Sequence, residues 1–234
     1  MTIQEMHIAF KLKFDKLDLL EYPNIEPEAI DFLLNQSQLR LLKTKYQPNN
    51  NYKVGFEGSQ KRIDDLRTLV KSASQDSLTS YLMDDDTNVR IYEATLPTDY
   101  FYMVKLRVKV EKAGVGTAIK SPRQVQHDDI SVFISDPFDG PKYRNPLAMF
   151  AGTKVQIVTD GTFQVTKVFF DYLKKPLDLS IDATGVNTPT GYTNVSEFPE
   201  QVHQEIVDYA VEMSLENIES PRFQSTQVVN LKTE

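Results

Sequence analysis

The sequence predicts an α+β protein: a helical bundle formed by N-terminal helices and a C-terminal helix, with an inserted antiparallel β-domain. Three observations predict it. Apolar residues recur at three- and four-residue spacing through the first third, the period changes to two from Val89, and helical spacing resumes near Pro199. Helices that flank a β-rich stretch are most simply built as one bundle with the strands inserted between its third and fourth helices. The expected division is a helical domain of residues 1–86 and 196–220, a β-rich domain with a loop at 87–195, and an extended C-terminal arm at 221–234.

In the first helix Ile3, Met6, Phe10, Phe14 and Leu17 share one face. A second runs from Pro27, a residue suited to a first helical turn, through Ile30, Leu33, Leu34 and Leu41, until QPNNN breaks it near Gln47. Ile63, Leu66 and Val70 predict a third, shorter helix. Its approach, GFEGSQKRIDDLRTLV at 55–70, carries two glycines and a Lys-Arg pair and so invites comparison with a phosphate-binding loop. A Walker loop needs G-x-x-x-x-G-K-[ST] between strand and helix. Here Gly55 and Gly58 are too close, Lys61 lies three residues past the second glycine, and no buried strand precedes them. A helix start explains more: Ser59 as N-cap, with Asp64 and Asp65 near the positive end of the helix dipole.

In DYFYMVKLRVKVEK, Tyr102, Val104, Leu106, Val108 and Val110 alternate with Met103, Lys105, Arg107 and Lys109, which predicts a strand with one apolar and one basic face. DDISVFI is a second expected strand. KVQIVTDGTFQVTKVFFDY reads as a hairpin turning at Asp160-Gly161. Phe163 and Val165 have one parity and Val168, Phe170 and Tyr172 the other, so a bulge is expected near Thr166-Lys167. DATGVNTPTGYTN is a loop by composition. The last helix carries Val207, Ala210, Val211, Ser214, Leu215 and Ile218 as a wide stripe ended by Pro221, and its small residues invite close helix packing.

Composition excludes several function classes. There are no cysteines, which removes disulfides, thiolate nucleophiles and Cys-based metal sites. The formal net charge of -7 argues against a general nucleic-acid binder unless basic residues concentrate on one face. No apolar run reaches the roughly 20 residues of a membrane span, and no signal-peptide pattern opens the chain, so a soluble protein used without export is expected. Asp84-Asp85-Asp86 lacks the alternating spacing of a calcium loop and reads as a solvated turn. Adjacent residues of an extended segment point apart, so His127 and Asp128 do not form a base with its orienting acid. His7 and His203 have no partner at metal-binding spacing, no G-x-S-x-G elbow is present, and no cofactor or metal is expected.

The charge layout says more than any motif. Residues 36–72 carry eight Lys/Arg against three acids, residues 101–125 carry six against one, and residues 196–234 carry eight acids against two bases. Either these are solvated faces, or the acidic part of one copy meets the basic part of another, as in head-to-tail rings. Lys105, Arg107 and Lys109 are the candidates for contact with DNA or a neighbouring subunit. In the tail PRFQSTQVVNLKTE, Phe223, Val228, Val229 and Leu231 are too β-prone for a solvated end. They suit either a frayed terminus or an arm that adds a strand to a neighbour.

The N-terminal series EAIDFLLNQSQLRLLKTKY and GFEGSQKRIDDLRTLV, with KKP at 174–176 and FPEQVHQEIVDYAVEMSLENIESPRF at 198–223, resembles virion structural proteins of crAss-like tailed bacteriophages. The resemblance implies a head-to-tail connector, a ring or adaptor stacked below the portal. It implies self-association as a dodecamer matching portal symmetry; neighbouring portal and tail proteins as partners; and only transient contact with phage DNA. It also implies a place in the virion after assembly in the host cytoplasm, with no enzymatic role. Two other classes stay open. One is a tail-hub or fibre-anchoring protein. The other is a polysaccharide-binding or degrading module using Tyr100, Tyr102 and Tyr143, although no acids pair around them.

Overall fold

The computed structural model describes residues 1–15, 25–46, 59–83, 88–182 and 191–217, with Gln227. The chain divides into two compact units, one of residues 1–69 and 175–234 and the other of residues 70–174. Leu17, Gly55, Gly58, Asp84-Asp85-Asp86, Ile218 and the arm residues Phe223, Val228, Val229 and Leu231 lie outside the described residues.

The helical unit contains α1 (Ile3–Asp15), α2 (Pro27–Tyr46), α3 (Gln60–Leu66) and, after the β unit, α5 (His203–Asn217). Met6, Phe10 and Phe14 of α1, Ile30, Leu34, Leu41 and Leu42 of α2, and Ile206, Val207, Ala210 and Leu215 of α5 are buried. The spacing that predicted the helices is therefore the spacing that packs them, with α5 lying against both α1 and α2. Ala210 and Ser214 are buried, and the Ser214 hydroxyl donates to the Val211 carbonyl within its own helix, so close packing leaves no orphan donor.

The third helix departs from expectation at both ends. It closes with a 3-10 turn at Arg67–Leu69, and Val70, expected on its apolar face, instead opens strand β1 (Val70–Gln75). Ser59 occupies the N-cap with extended φ/ψ, but its side chain makes no cap hydrogen bond. Asp64 and Asp65 fall in the C-terminal half of this short helix, so they do not face its positive end. Asp65 is 2% exposed and serves a different purpose, described below.

The β unit holds strands β1, β2 (Thr79–Leu82), β3 (Arg90–Thr95), β4 (Tyr100–Lys112), β5 (Gly116–Lys120), β6 (Arg123–Gln124), β7 (Leu147–Ala151), β8 (Lys154–Thr159) and β9 (Gln164–Lys174). They form sheet one, ordered β1-β9-β4-β5, and sheet two, ordered β2-β3-β8-β7-β6. All pairs are antiparallel except the two-residue β6–β7 contact. Val108, Val110, Val165, Val168, Phe170 and Tyr172 from sheet one, with Phe163 just before β9, meet Tyr92, Ala94, Ala148, Val155 and Ile157 from sheet two in one core. Sheet two is buried on its other face as well, where Val89, Ile91, Leu147, Met149 and Val158 lie under Ile130, Phe133 and Ile134. The unit is thus three layers deep, and the outer face of sheet one is left to solvent.

Four differences from the sequence reading have clear causes. DDISVFI is not a strand: residues Ile130–Ser135 form a short helix, α4. Its β-branched content is high, but Ile130, Phe133 and Ile134 sit at i, i+3 and i+4 and turn one face to sheet two, while Val132 is 64% exposed. Nor do β8 and β9 form a hairpin, because they belong to different sheets. Asp160-Gly161 makes the corner between them. Asp160 Oδ1 accepts hydrogen bonds from the Thr162 amide and hydroxyl, and Gly161 has φ of 72°. A Cβ there would lie 2.8 Å from the Asn88 carbonyl oxygen.

In β4 the register shifts between Tyr100 and Tyr102 and between Met103 and Lys105. Each shift reverses parity, so Tyr100 and Met103, not Tyr102 and Val104, pack against the core beside Leu106. The expected bulge in β9 is present: Lys109 pairs with Lys167 and Val110 with Val165, leaving Thr166 unpaired, with its hydroxyl donating to the Lys109 carbonyl. Finally, β1 and β2 fall in the β unit and residues 175–195 in the helical unit, whereas the sequence reading placed the divisions at 86 and 195. The cause is polarity. The β2 residues are all exposed, and β2 is tied to its neighbours by Glu93, which accepts from Tyr81, Lys154 and Gln156 at 3.0, 2.6 and 2.8 Å. Lys154 and Gln156, against the opposing cost of burial, hold that carboxylate below its usual range.

Candidate contact faces

The outer face of sheet one collects the basic residues that the alternation in β4 predicted. Lys105, Arg107 and Lys109 follow the second bulge and share one parity, standing opposite Asp171, Phe169 and Lys167 of β9. Arg107 pairs with Asp171 at 2.9 Å, and Asp171 also accepts from the Ser72 hydroxyl of β1 at 2.7 Å. Phe169 lies between two cations, with the Arg107 guanidinium 5.6 Å and the Lys167 ammonium 5.5 Å from its ring centre. Lys167 also reaches Asp76 at 3.1 Å. Lys105 and Lys109 are exposed and have no side-chain partner among the described residues. Two like charges directly opposite each other, Lys109 and Lys167, work against strand pairing. The face is therefore not arranged for stability alone.

The acidic C-terminal segment is different. Arg40 of α2 pairs with the buried Glu212 at 2.9 Å, and Lys13 of α1 pairs with Asp208. The Lys45 ammonium, 2% exposed, lies 2.8 Å from Glu205 and 3.2 Å from the equally buried Asp65, and Lys61 approaches Glu205 at 3.7 Å. The contact of Lys45 with Asp65 is an ion pair by distance without hydrogen-bond alignment. Much of the charge of α5 is thus paired within one chain, with the basic helices beside it.

A second polar arrangement was not visible from apolar spacing. Asp31, Asn35 and Gln38 lie on one line of α2 and hold the returning chain. Asp31 accepts from the Ile181 amide at 2.9 Å; Asn35 bonds both the amide and the carbonyl of Leu179 at 2.7 and 2.9 Å; Gln38 accepts from Ser196 at 3.0 Å. They fix β10 (Asp178–Leu179), which pairs in parallel with β11 (Tyr192–Thr193). The only sequence signal was that Asp31, Asn35 and Gln38, at i, i+4 and i+7, share one side of a helix whose other residues are of mixed polarity.

The histidines are placed structurally. His7 Nε2 is 2.7 Å from Asp31 Oδ1, both buried, and joins α1 to α2. His203 Nε2 donates to the Phe198 carbonyl and Nδ1 accepts from the Met1 ammonium, each at 2.8 Å. His127 donates to the Phe150 carbonyl at 2.7 Å. Tyr172 donates to Asp99 at 2.7 Å, and burial together with that carboxylate pushes its phenol up to about 12. Burial works to raise Asp99, but hydrogen bonds from Tyr172 and Lys71 outweigh it and hold its carboxyl below the usual range. Tyr100 packs against Tyr172 and Tyr143 against Phe163, so neither ring is a free sugar platform. Among the described residues no group of three or more acids and histidines converges, and no helix is long and apolar enough to cross a membrane.

Internally neutralised helices and a solvent-facing sheet with unpaired lysines describe a protein that makes contacts. The chain belongs to the family of phage tail ring protein 3/4 of the crAss-like phages, whose model matches residues 1–224. It is a structural component of the virion tail that associates into a ring. No curated protein matches it.

Proposed function

We propose that the ring forms part of the connector between portal and tail and encloses the channel through which DNA passes. Family membership over nearly the whole chain is the observation that carries this reading. Twelve copies would match the symmetry of a portal, and a closed ring needs each copy to offer two different surfaces. The exposed face around Lys105, Arg107 and Lys109 is the best candidate for one of them. A net charge of -7 suits a conduit in which DNA slides without sequence readout, since extensive phosphate pairing would retard it. The portal and adjoining tail proteins are the expected neighbours, assembly takes place in the host cytoplasm, and no catalytic step is assigned to any residue. The segment from Phe223 to Leu231, with Val228 and Val229, acts as an arm that docks on a neighbour.

Electron microscopy of purified virions tests both parts. The expected result is a ring of this chain coaxial with the portal; isolated copies or trimers elsewhere on the particle would refute the connector. In the same preparations, a chain ending at Ser220 should fold yet be absent from particles. Its normal incorporation would rule out the arm.

A further inference from the structure

Phe138 is 87% exposed, more than any other large apolar side chain among the described residues. It is not exposed through slack. Asp136 Oδ1 accepts from the amides of Phe138 and Asp139 at 2.7 and 3.4 Å, and the Gly140 amide donates to the Asp136 carbonyl at 3.0 Å. The Lys142 ammonium donates to the carbonyls of Pro137 and Phe138 at 2.5 and 2.9 Å. A Cβ at residue 140 would lie 2.7 Å from the Asp136 carbonyl oxygen, so glycine is needed for the loop to close this tightly. Arg123 clamps the base, 4.5 Å above the Phe133 ring and 3.6 Å from Asp139. A pinned backbone thus displays a phenyl ring in water, at the end of the α4 layer. The stretch 126–140 carries Asp128, Asp129, Asp136 and Asp139; Arg123 pairs with Asp139 and backbone amides engage Asp136, which leaves Asp128 and Asp129 as the acids without a side-chain partner among the described residues.

The outer face of sheet one, in a different layer of the same unit, has the opposite character. Lys105 and Lys109 are unpartnered there among the described residues, and Ile119, directly across from Lys109, is 57% exposed. We propose that Phe138 of one copy docks against Ile119 on sheet one of the next copy, with Asp128 and Asp129 meeting Lys105 and Lys109. The inference rests on the ring reading and names the partner of its basic face. Knob and receiver are different surfaces of one chain, which is the condition for head-to-tail association that closes by rotation. Each contact brings together apolar groups of both copies and opposite charges that neither copy satisfies alone.

The absence of cysteine makes the contact easy to probe. Purified Phe138→Cys chains are mixed at high concentration with Ile119→Cys chains and oxidised. A disulfide-linked heterodimer should form in the mixture, with neither variant linking to itself, and the double variant should give a ladder of higher oligomers. Placing Lys105→Glu and Lys109→Glu on the Ile119→Cys chain should lower the yield about tenfold, and Asp128→Lys with Asp129→Lys on the other chain should restore it. Wild-type thermal melting is required of every variant; if Ile119→Cys fails it, Thr117→Cys, exposed on the same face of β5, replaces it. A yield no higher than with Thr79→Cys on the edge of sheet two, or equal self-linking of Phe138→Cys, overturns the proposal. So does duplex DNA binding through the two lysines without the cross-link. A virion map showing a ring without the Phe138 contact removes this proposal and leaves the ring, whereas isolated copies in the map remove the ring itself.

Discussion

The helical and β units handle charge in opposite ways. In the helical unit Lys13 of α1 and Arg40 and Lys45 of α2 are drawn onto α5, and Lys45, Asp65 and Glu212 are almost wholly buried with partners. In the β unit the cations of β4 are held out on a sheet face, two of them without a partner among the described residues and one opposite another lysine. Charge that is paired inside a unit fixes that unit's fold. Charge left on a flat face is available to something else. The difference teaches that a segment's net charge does not reveal its use: the segment 196–234 is the most acidic of those compared, and its helix is committed internally.

The sharpest way to break this comparison is to remove Lys45. Truncation to Ala would leave the buried Asp65 without a cation, its carboxylate held only by the Gln201 amide at 3.2 Å, and Glu205 with only the more distant Lys61. Losing one partner of a buried ion pair costs about 3–5 kcal/mol, which should appear as a matching drop in unfolding free energy under denaturant. A loss under ~1 kcal/mol, the range of a solvated pair, would mean that the cluster does not hold the helices together.

A smaller effect should follow from His203. Burial, with the Met1 ammonium close by, lowers its folded-state pKa below the ordinary value, although the Phe198 carbonyl, Glu200 and Glu5 act in the other direction. The unfolded state therefore takes up a proton at a pH where the folded state does not. Stability should be complete above the unfolded value of about 6.5 and fall as pH drops toward the folded value, with a slope no steeper than about 1.4 kcal/mol per pH unit. The difference between wild-type and His203→Gln unfolding profiles isolates this group; identical slopes below that pH would show that His203 is not the titrating residue.

The same contrast explains what could be read from sequence. α1, α2 and α5 were legible because apolar spacing is both what forms them and what buries them, and the β9 bulge was legible because both of its parities are buried. Short elements were not. Six residues of α4 fit a strand and a helix equally well until sheet two supplies a surface for Ile130, Phe133 and Ile134. Asp160-Gly161 specifies a turn but not which sheets it joins. Lys45, Asp65 and Glu205 look like surface residues until three helices meet around them. Of the candidate site, the common face of Lys105, Arg107 and Lys109 was visible as alternation. Phe138 was not, because exposure depends on how the loop is tied.

The smallest expected effect sharpens the comparison most. Lys109 faces Lys167 directly across the strand pair, while Lys167 has its own partners in Asp76 and Phe169. Like charges at such positions are mildly unfavourable, and threonine favours strands through its branched Cβ. Lys109→Thr should therefore leave thermal stability unchanged or raise it by about 0.2–1 kcal/mol, the scale of one cross-strand pair. Its assembly into rings should nevertheless fall, because the Lys109 ammonium is one of the two cations proposed to meet Asp128 and Asp129 of the next copy. Calorimetry of the variant beside its incorporation into particles separates the two roles. Destabilisation of more than ~1 kcal/mol would return Lys109 to an ordinary structural position, and normal incorporation would remove this lysine from the contact face.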